Sequence, residues 1–144
     1  MNELRFTVDI RAPKERVWDC LWRDETLRDW ASIIDPGTYM VGPLTEGAEV
    51  QFISSENGYG VTSLVEKLVP NEYALLRHHA DTQQRGEQVR EKQWTDGTER
   101  YTLSETDGIT TLATSVDVPQ ELEDYFNVAY PKALARVKEL AEKK

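Results

Sequence analysis

The chain has 144 residues, of which 39% are hydrophobic and 30% are charged, a composition typical of a soluble globular domain that can bury a core. Its 17 Lys and Arg residues against 26 Asp and Glu residues give a formal net charge of -9, which disfavours nucleic acid and membrane surfaces as partners. The single cysteine, Cys20, excludes an internal disulfide and favours a reducing compartment.

The N-terminal segment alternates between apolar and polar residues. This pattern predicts a strand with one buried face, formed by Leu4, Phe6, Val8 and Ile10. The segment lacks the basic start and apolar centre of a secretory signal, and no apolar run in the chain reaches the roughly 18 residues of a membrane span. We therefore expect one cytoplasmic domain that covers residues 1–144.

Two short helices are predicted after this strand. Pro13 suits the first turn of a helix, and apolar residues recur at helical spacing from Val17 to Trp22. Asp24 is the predicted N-cap of a second helix that extends through Trp30. Cys20 has no sequence neighbour that would lower the pKa of its thiol, so we expect a buried small apolar side chain and not a nucleophile.

An antiparallel meander follows, with strands predicted at 38–43, 48–55, 59–68, 72–80, 98–106 and 109–118. The sequence TDG occurs at 95–97 and again at 106–108, and its Asp-Gly pair predicts a tight hairpin at each place. The segment 83–93 contains one apolar residue, Val89. It is interpreted either as a solvated extension of the strand connection or as a mobile loop.

A long helix closes the chain. Pro119 stands at its start, acidic residues occupy the first turns, and an apolar stripe extends from Leu122 to Leu140. Pro131 lies inside this stripe and predicts a kink. The order of elements predicts an α+β fold in which the stripe packs on the concave face of a curved antiparallel sheet.

Several stretches together resemble a known superfamily. They are APKERVWDCL, LRDW, the PG that follows, PNEYALLRHHA, YTLSETDGITTL and DYFNVAYPKAL. In their order and spacing the chain resembles the START-like (SRPBCC) superfamily, and most closely the bacterial homologues of the activator of heat-shock protein 90 ATPase. The resemblance covers nearly the whole chain.

The resemblance implies a helix-grip fold, in which a seven-stranded antiparallel sheet curves around a long C-terminal helix and two short helices follow the first strand. Members often hold an apolar cavity between helix and sheet and share no universal catalytic motif. His78 matches a histidine that recurs in this superfamily. Complete eukaryotic activators carry a separate N-terminal domain, whereas this chain begins directly with the START-like strand, so we do not expect full activator function.

Strand parity separates the two histidines. Leu76 and His78 share one strand face, and His79 points the opposite way. Adjacent strand residues cannot chelate one metal together, and the sequence has no other histidine, so no metal site is expected. No cofactor is expected either. If Leu76 faces inward, His78 does too, either as a ligand-orienting group or general base near the cavity or as a histidine bonded to a core partner.

The aromatic side chains leave two interpretations open, namely that they form core or that they line the mouth of the cavity. Trp18 and Trp22 are one helical turn apart, and Trp22, which precedes a charged stretch, is expected to be half exposed. Thr114 is a polar residue on an otherwise apolar strand face, and ligand pockets use such single polar groups to orient a ligand. The predicted ligand-contacting residues are Trp18, Trp30, Phe52, Leu76, His78, Tyr101, Leu103, Thr114, Phe126 and Tyr130.

Three functions are compatible with this pattern. The first is a binding module that holds an apolar or aromatic ligand, such as a lipid or a polyketide-like molecule, and in which 83–93 gates the cavity. The second, implied by START-like relatives, is a cyclase- or dehydratase-like enzyme in which His78 is the general acid or base and Tyr101 or Tyr130 assists. The third is a chaperone partner. As assembly state we expect a monomer or a weak homodimer.

Overall fold

A curled antiparallel sheet and a long C-terminal helix form the two layers of the protein. The computed structural model describes residues 1–56, 58–83 and 96–143. The chain runs in the order β1 (Asn2–Ile10), α1 (Lys14–Trp22), α2 (Asp24–Ala31), β2 (Thr38–Val41), β3 (Glu49–Ser54), β4 (Tyr59–Val69), β5 (Tyr73–Gln83), β6 (Thr98–Thr106), β7 (Ile109–Val118) and α3 (Glu123–Glu142), with a short 3-10 turn at Gln120–Leu122.

The sheet confirms the predicted meander. Its seven strands lie in the order β1-β7-β6-β5-β4-β3-β2, and every neighbouring pair is antiparallel. The alternation predicted for β1 is present, because its polar residues are exposed while Ile10 is fully buried. Each predicted strand overlaps an observed one. The segment 83–93, beyond Gln83, lies outside the described residues.

One of the two predicted tight hairpins is wrong. Asp107 and Gly108 both have positive φ angles between the paired residues Thr106 and Ile109, as a two-residue hairpin requires. At the earlier Asp-Gly pair, the Asp96 amide and the Gly97 carbonyl bond to the backbone of His78, while β5 continues past His78 to Gln83. Asp96 keeps a positive φ of 71°, but the pair lies against β5 and closes no two-residue hairpin.

The two short helices are joined without a side-chain cap. The predicted N-cap of α2, Asp24, is wrong, because that position belongs to Arg23. Asp24 instead accepts a hydrogen bond from Arg28, one turn later, at 2.9 Å. The indole N–H of Trp30 donates to the carbonyls of Cys20 and Leu21, at 3.1 and 3.2 Å. This bond holds the Trp30 ring against the end of α1. Cys20 is buried as expected, and burial raises the pKa of its thiol.

The stripe of α3 faces the sheet. Its buried residues are Ala129, Tyr130, Ala133, Leu134, Val137 and Ala141. The helix continues on both sides of Pro131, so the kink stays a prediction. Arg136 bonds both carboxylate oxygens of Asp29, at 2.8 and 2.9 Å, and so ties α3 to α2. Among the described residues, no helix combines the length and apolar character that crossing a membrane requires.

Candidate functional site

A cavity of about 400 Å³ lies between the sheet and the helices. Residues of the end of α1, of α2, of β2 to β7 and of the first half of α3 line it. Deep in the cavity, Trp30, His78 and Tyr101 are almost completely buried, whereas Asp35 and Tyr125 are exposed at the other end. The cavity is therefore open to solvent on the side where α2 leads into β2. This volume falls within the range of small-molecule sites, roughly 300–1,000 Å³.

A buried polar cluster forms the floor of the cavity. Ser63 Oγ lies 2.5 Å from His78 Nδ1, and His78 Nε2 lies 3.4 Å from Glu99 Oε1. The Tyr101 hydroxyl donates to Glu99 Oε2 at 2.8 Å. Three strands, β4, β5 and β6, thus bring a hydroxyl, an imidazole, a carboxylate and a phenol into one connected group. We call these four residues the polar floor.

A β-bulge positions His78 in this cluster. Thr62 pairs with Ala80 and Ser63 with His78, so His79 is an extra residue on β5. Bulges re-aim neighbouring side chains and recur at functional sites. His78 is 1% exposed and faces the cavity, whereas His79 points outward, 3.5 Å from Glu49. The predicted opposite orientation of the two histidines is confirmed.

The polar floor shifts the pKa values of its members. Burial acts to raise the pKa of Glu99, but the bond and charge of His78 and the bond from Tyr101 together hold that pKa below its usual value. The carboxyl is therefore ionised at neutral pH. Burial, together with the nearby Glu99 carboxylate, raises the pKa values of Tyr101 and Tyr130 well above the usual value for phenols. Both tyrosines are protonated and can donate hydrogen bonds.

Aromatic rings form the walls above this floor. Trp22 packs edge-on against Tyr101 with ring centroids 5.0 Å apart, and Trp30 approaches the same ring at 6.5 Å. On the helix side, Phe126 contacts Tyr130 at 5.7 Å. Large rings on both sides leave a space that suits a flat apolar group, because aromatic pairs prefer offset or edge-to-face contact.

Trp22 is more deeply buried than its sequence context predicted. It is 8% exposed and not half exposed, because α1 ends at this residue and the ring turns inward onto Tyr101. Its indole nitrogen is buried and has no hydrogen-bond partner among the described residues. Buried donors are usually paired, so this N–H is available to an oxygen atom of a ligand or to a water molecule.

The structure brings six of the ten predicted ligand-contacting residues to the cavity. They are Trp30, Phe52, His78, Tyr101, Phe126 and Tyr130. The other four lie elsewhere: Leu76 and Leu103 are enclosed in the core between sheet and helices. Trp18 packs on the far side of Trp22, at 5.9 Å, and is partly exposed. Thr114 is buried in register with Phe6 and Tyr101, whose longer side chains flank it.

Sequence reasoning missed Ser63 and Glu99, which complete the polar floor. Glu99 lies two residues before Tyr101 on the same strand face, and this parity was the available signal. Ser63 has no comparable signal, because its role depends on its pairing with His78 across two strands.

The donor set of the cavity suits hydrogen bonding and acid–base chemistry. Among the described residues, no group of three or more His, Cys, Asp or Glu side chains is arranged to hold a metal ion. The polar floor brings an ionised carboxylate, an imidazole and a phenol together at the deep end of the cavity. Such groups can orient a bound molecule or move a proton on it.

No family model matches the chain, and no curated protein matches it in sequence. Among solved structures it is similar to DynU16, a protein in the dynemicin biosynthetic locus, with 16% identity and a TM-score of 0.72. That match covers 99% of this chain and 48% of DynU16, so the chain spans about half the length of that protein.

Two further structures agree in fold. CalU16 from Micromonospora echinospora matches at 16% identity and a TM-score of 0.69, over 97% of this chain and 74% of that chain. The Aha1 dimer from Colwellia psychrerythraea matches at 18% identity and a TM-score of 0.66, over 99% of this chain and 95% of that chain. Such identities establish architecture and not activity. The chain therefore shares the helix-grip architecture of these structures, in which a seven-stranded antiparallel sheet curves around a long C-terminal helix.

Proposed function

We propose that the protein binds a small apolar or aromatic molecule in the cavity between the sheet and α3. The observation that carries this proposal is an open space of about 400 Å³ with aromatic walls above a buried polar floor. Burial of the ligand's apolar surface supplies the affinity, at roughly 25 cal/mol per Å² before the costs of association. The polar floor and the Trp22 N–H set the orientation of the ligand.

The similar structures support this proposal at the level of fold. DynU16 is a protein in the dynemicin biosynthetic locus, so a small organic molecule is a reasonable ligand class to test for this chain. The same fold occurs in the Colwellia Aha1 dimer, so a protein partner and a homodimer are also proposals for this chain. An ATPase assay with a bacterial heat-shock protein 90 and a measurement of molecular mass in solution test these two.

Tryptophan fluorescence tests the binding proposal, because Trp22 and Trp30 both line the cavity. We expect saturable changes with some members of a panel of aromatic polyketides, flavonoids and fatty acids. Ala31→Phe places a phenyl ring in the cavity and should weaken binding at least ten-fold, since Ala31 is part of its wall. Ala135→Phe, on the exposed side of α3, is the matched control and should bind normally. Equal binding by both variants, or no response to any panel member, contradicts the proposal.

An acid–base enzyme is the second candidate, and one observation favours it. His78 and the hydroxyl-bearing Tyr101 and Tyr130 all line the same cavity, as proton transfer to one bound molecule requires. In this function His78 is the general acid or base, and a tyrosine assists. Mass spectrometry of any panel member that binds should then detect a product that His78→Gln no longer forms. An unchanged ligand after prolonged incubation with the wild-type protein contradicts this candidate.

A further inference from the structure

The charges that line the cavity have one sign. Among the lining residues that the structure describes, the charged side chains are two carboxylates, Asp35 at the open end and Glu99 at the floor. No Lys or Arg belongs to this described lining. An anionic ligand would lose its hydration and gain no cationic partner here, which is unfavourable. The lining thus disfavours carboxylate ligands such as fatty acids.

The hydrogen bonds within the polar floor leave acceptor sites on Glu99 for a ligand. An ionised carboxylate only accepts hydrogen bonds, so the Tyr101 hydroxyl and His78 Nε2 both donate to Glu99. In a neutral His78 ring, Nδ1 then accepts from the Ser63 hydroxyl. The protons of these groups are used within the protein. A carboxylate offers about four lone-pair sites, and two bonds leave Glu99 able to accept from a group inside the cavity.

Glu99 can be reached from the cavity. Its side chain retains 21% exposure and belongs to the cavity lining, in contrast to the nearly fully buried His78. The surrounding rings add a second attraction for positive charge, because the faces of Trp, Tyr and Phe rings attract cations. Trp22 and Trp30 both approach Tyr101, whose hydroxyl bonds Glu99. A carboxylate next to several aromatic rings is a favourable place for an ammonium group on an apolar skeleton.

We propose that the ligand is a hydrophobic amine, whose ammonium group bonds Glu99 and whose hydrocarbon part lies between the aromatic walls. This inference rests on the proposed function, because it names the ligand class for the same cavity. Three probes with matched skeletons isolate the charge: 4-phenylbutylamine, 4-phenylbutanol and 4-phenylbutanoate. At neutral pH they are a cation, a neutral molecule and an anion, and their affinities can be compared by isothermal titration calorimetry.

We expect the amine to bind at least ten-fold more tightly than the alcohol, because a hydrogen bond between charged groups contributes more than one from a neutral donor. The alcohol should bind more tightly than the carboxylate, because the lining offers no cationic partner to an anion. Glu99→Gln should remove the advantage of the amine and change the affinity for the alcohol less than about three-fold. Glu15→Gln removes one negative charge at the exposed start of α1 and is the control for net charge. It should leave the order of the three probes unchanged.

The possible outcomes separate the two proposals. If the alcohol binds but the amine has no advantage in the wild type, or if the carboxylate binds best, the amine inference is refuted while cavity binding stands. If none of the three probes binds, the amine inference is refuted, and the response to the panel of polyketides, flavonoids and fatty acids decides separately whether cavity binding stands. The order of affinities in the wild-type protein needs no variant, so the test holds even if Glu99→Gln does not fold. Loss of the amine's advantage in Glu15→Gln would also contradict the inference, because it would indicate a general charge effect.

Discussion

Replacing Gly60 with alanine is expected to damage the sheet at the edge of the cavity. Gly60 lies in β4, pairs with Ile53 of β3 and belongs to the cavity lining. A Cβ atom at this position would lie 1.8 Å from the carbonyl oxygen of Phe52 and 2.8 Å from the Cα of Ile53. Both neighbours are backbone atoms, so no side chain can rotate away to make room.

The size of the effect follows from this geometry. Real Cβ contacts below 3.0 Å are essentially absent, so β3 and β4 must separate by at least about 1.2 Å. Ladder hydrogen bonds near 2.9 Å would then exceed their useful length of about 3.2 Å. Losing two such bonds at about 1 kcal/mol each, with added strain, lowers the free energy of unfolding by about 2–4 kcal/mol. For a chain of 144 residues this corresponds to a fall in Tm of about 7–13 °C.

Thermal and urea unfolding, followed by circular dichroism, measure this loss. Gly108→Ala is the matched control, because Gly108 has a φ of +79° but no atom lies within 4 Å of the position of its Cβ. Its cost should be limited to backbone strain of about 1 kcal/mol. If Gly60→Ala costs no more than Gly108→Ala, the close approach of β3 and β4 is not real and the shape of the cavity wall is wrong.

Three further predictions concern the site. Ser63→Ala removes the hydroxyl that bonds His78 and should lower the free energy of unfolding by about 1–3 kcal/mol in urea titrations. The control is Ser115→Ala, whose hydroxyl bonds an exposed carboxylate. If Ser63→Ala lowers the free energy of unfolding by less than this control does, the buried contact is contradicted. Trp30→Phe loses the N–H that bonds two carbonyls of α1 and should destabilise by a similar amount, so unchanged stability argues against this bond. Folding lowers the pKa of Glu99 from its usual value of 4.5, so its stabilising effect is complete above about that pH and is lost as the pH falls through the folded pKa. The stability advantage of the wild type over Glu99→Gln should therefore shrink on acidification, and an advantage that grows in acid contradicts the assigned shift.

The strands were predictable because their signal is local. Alternation with a period of two identified β1, and an Asp-Gly pair located the hairpin between β6 and β7. Parity with the buried Leu76 was enough to place His78 inside. These inferences need only the order of neighbouring residues, which the chain itself supplies.

The completed site was less predictable because its contacts cross strands. Glu99 lies between Thr98 and Arg100 in the sequence, and carboxylates in such a polar stretch are mostly exposed. Strand parity places Glu99 beside Tyr101, but only the pairing of β5 with β6 brings its carboxylate to His78. The predicted half exposure of Trp22 is wrong for a similar reason, because the charged residues after it lie at the start of the next helix and do not surround its ring.

Both proposals require that the space beneath α3 receives a ligand. The most direct measurement is a crystal structure of the protein in complex with its tightest-binding panel member or probe. We expect the ligand to lie in contact with Trp30 and Phe126, with its polar end within hydrogen-bond distance of Glu99. A space filled by the protein's own side chains, with the ligand on another surface, would contradict it.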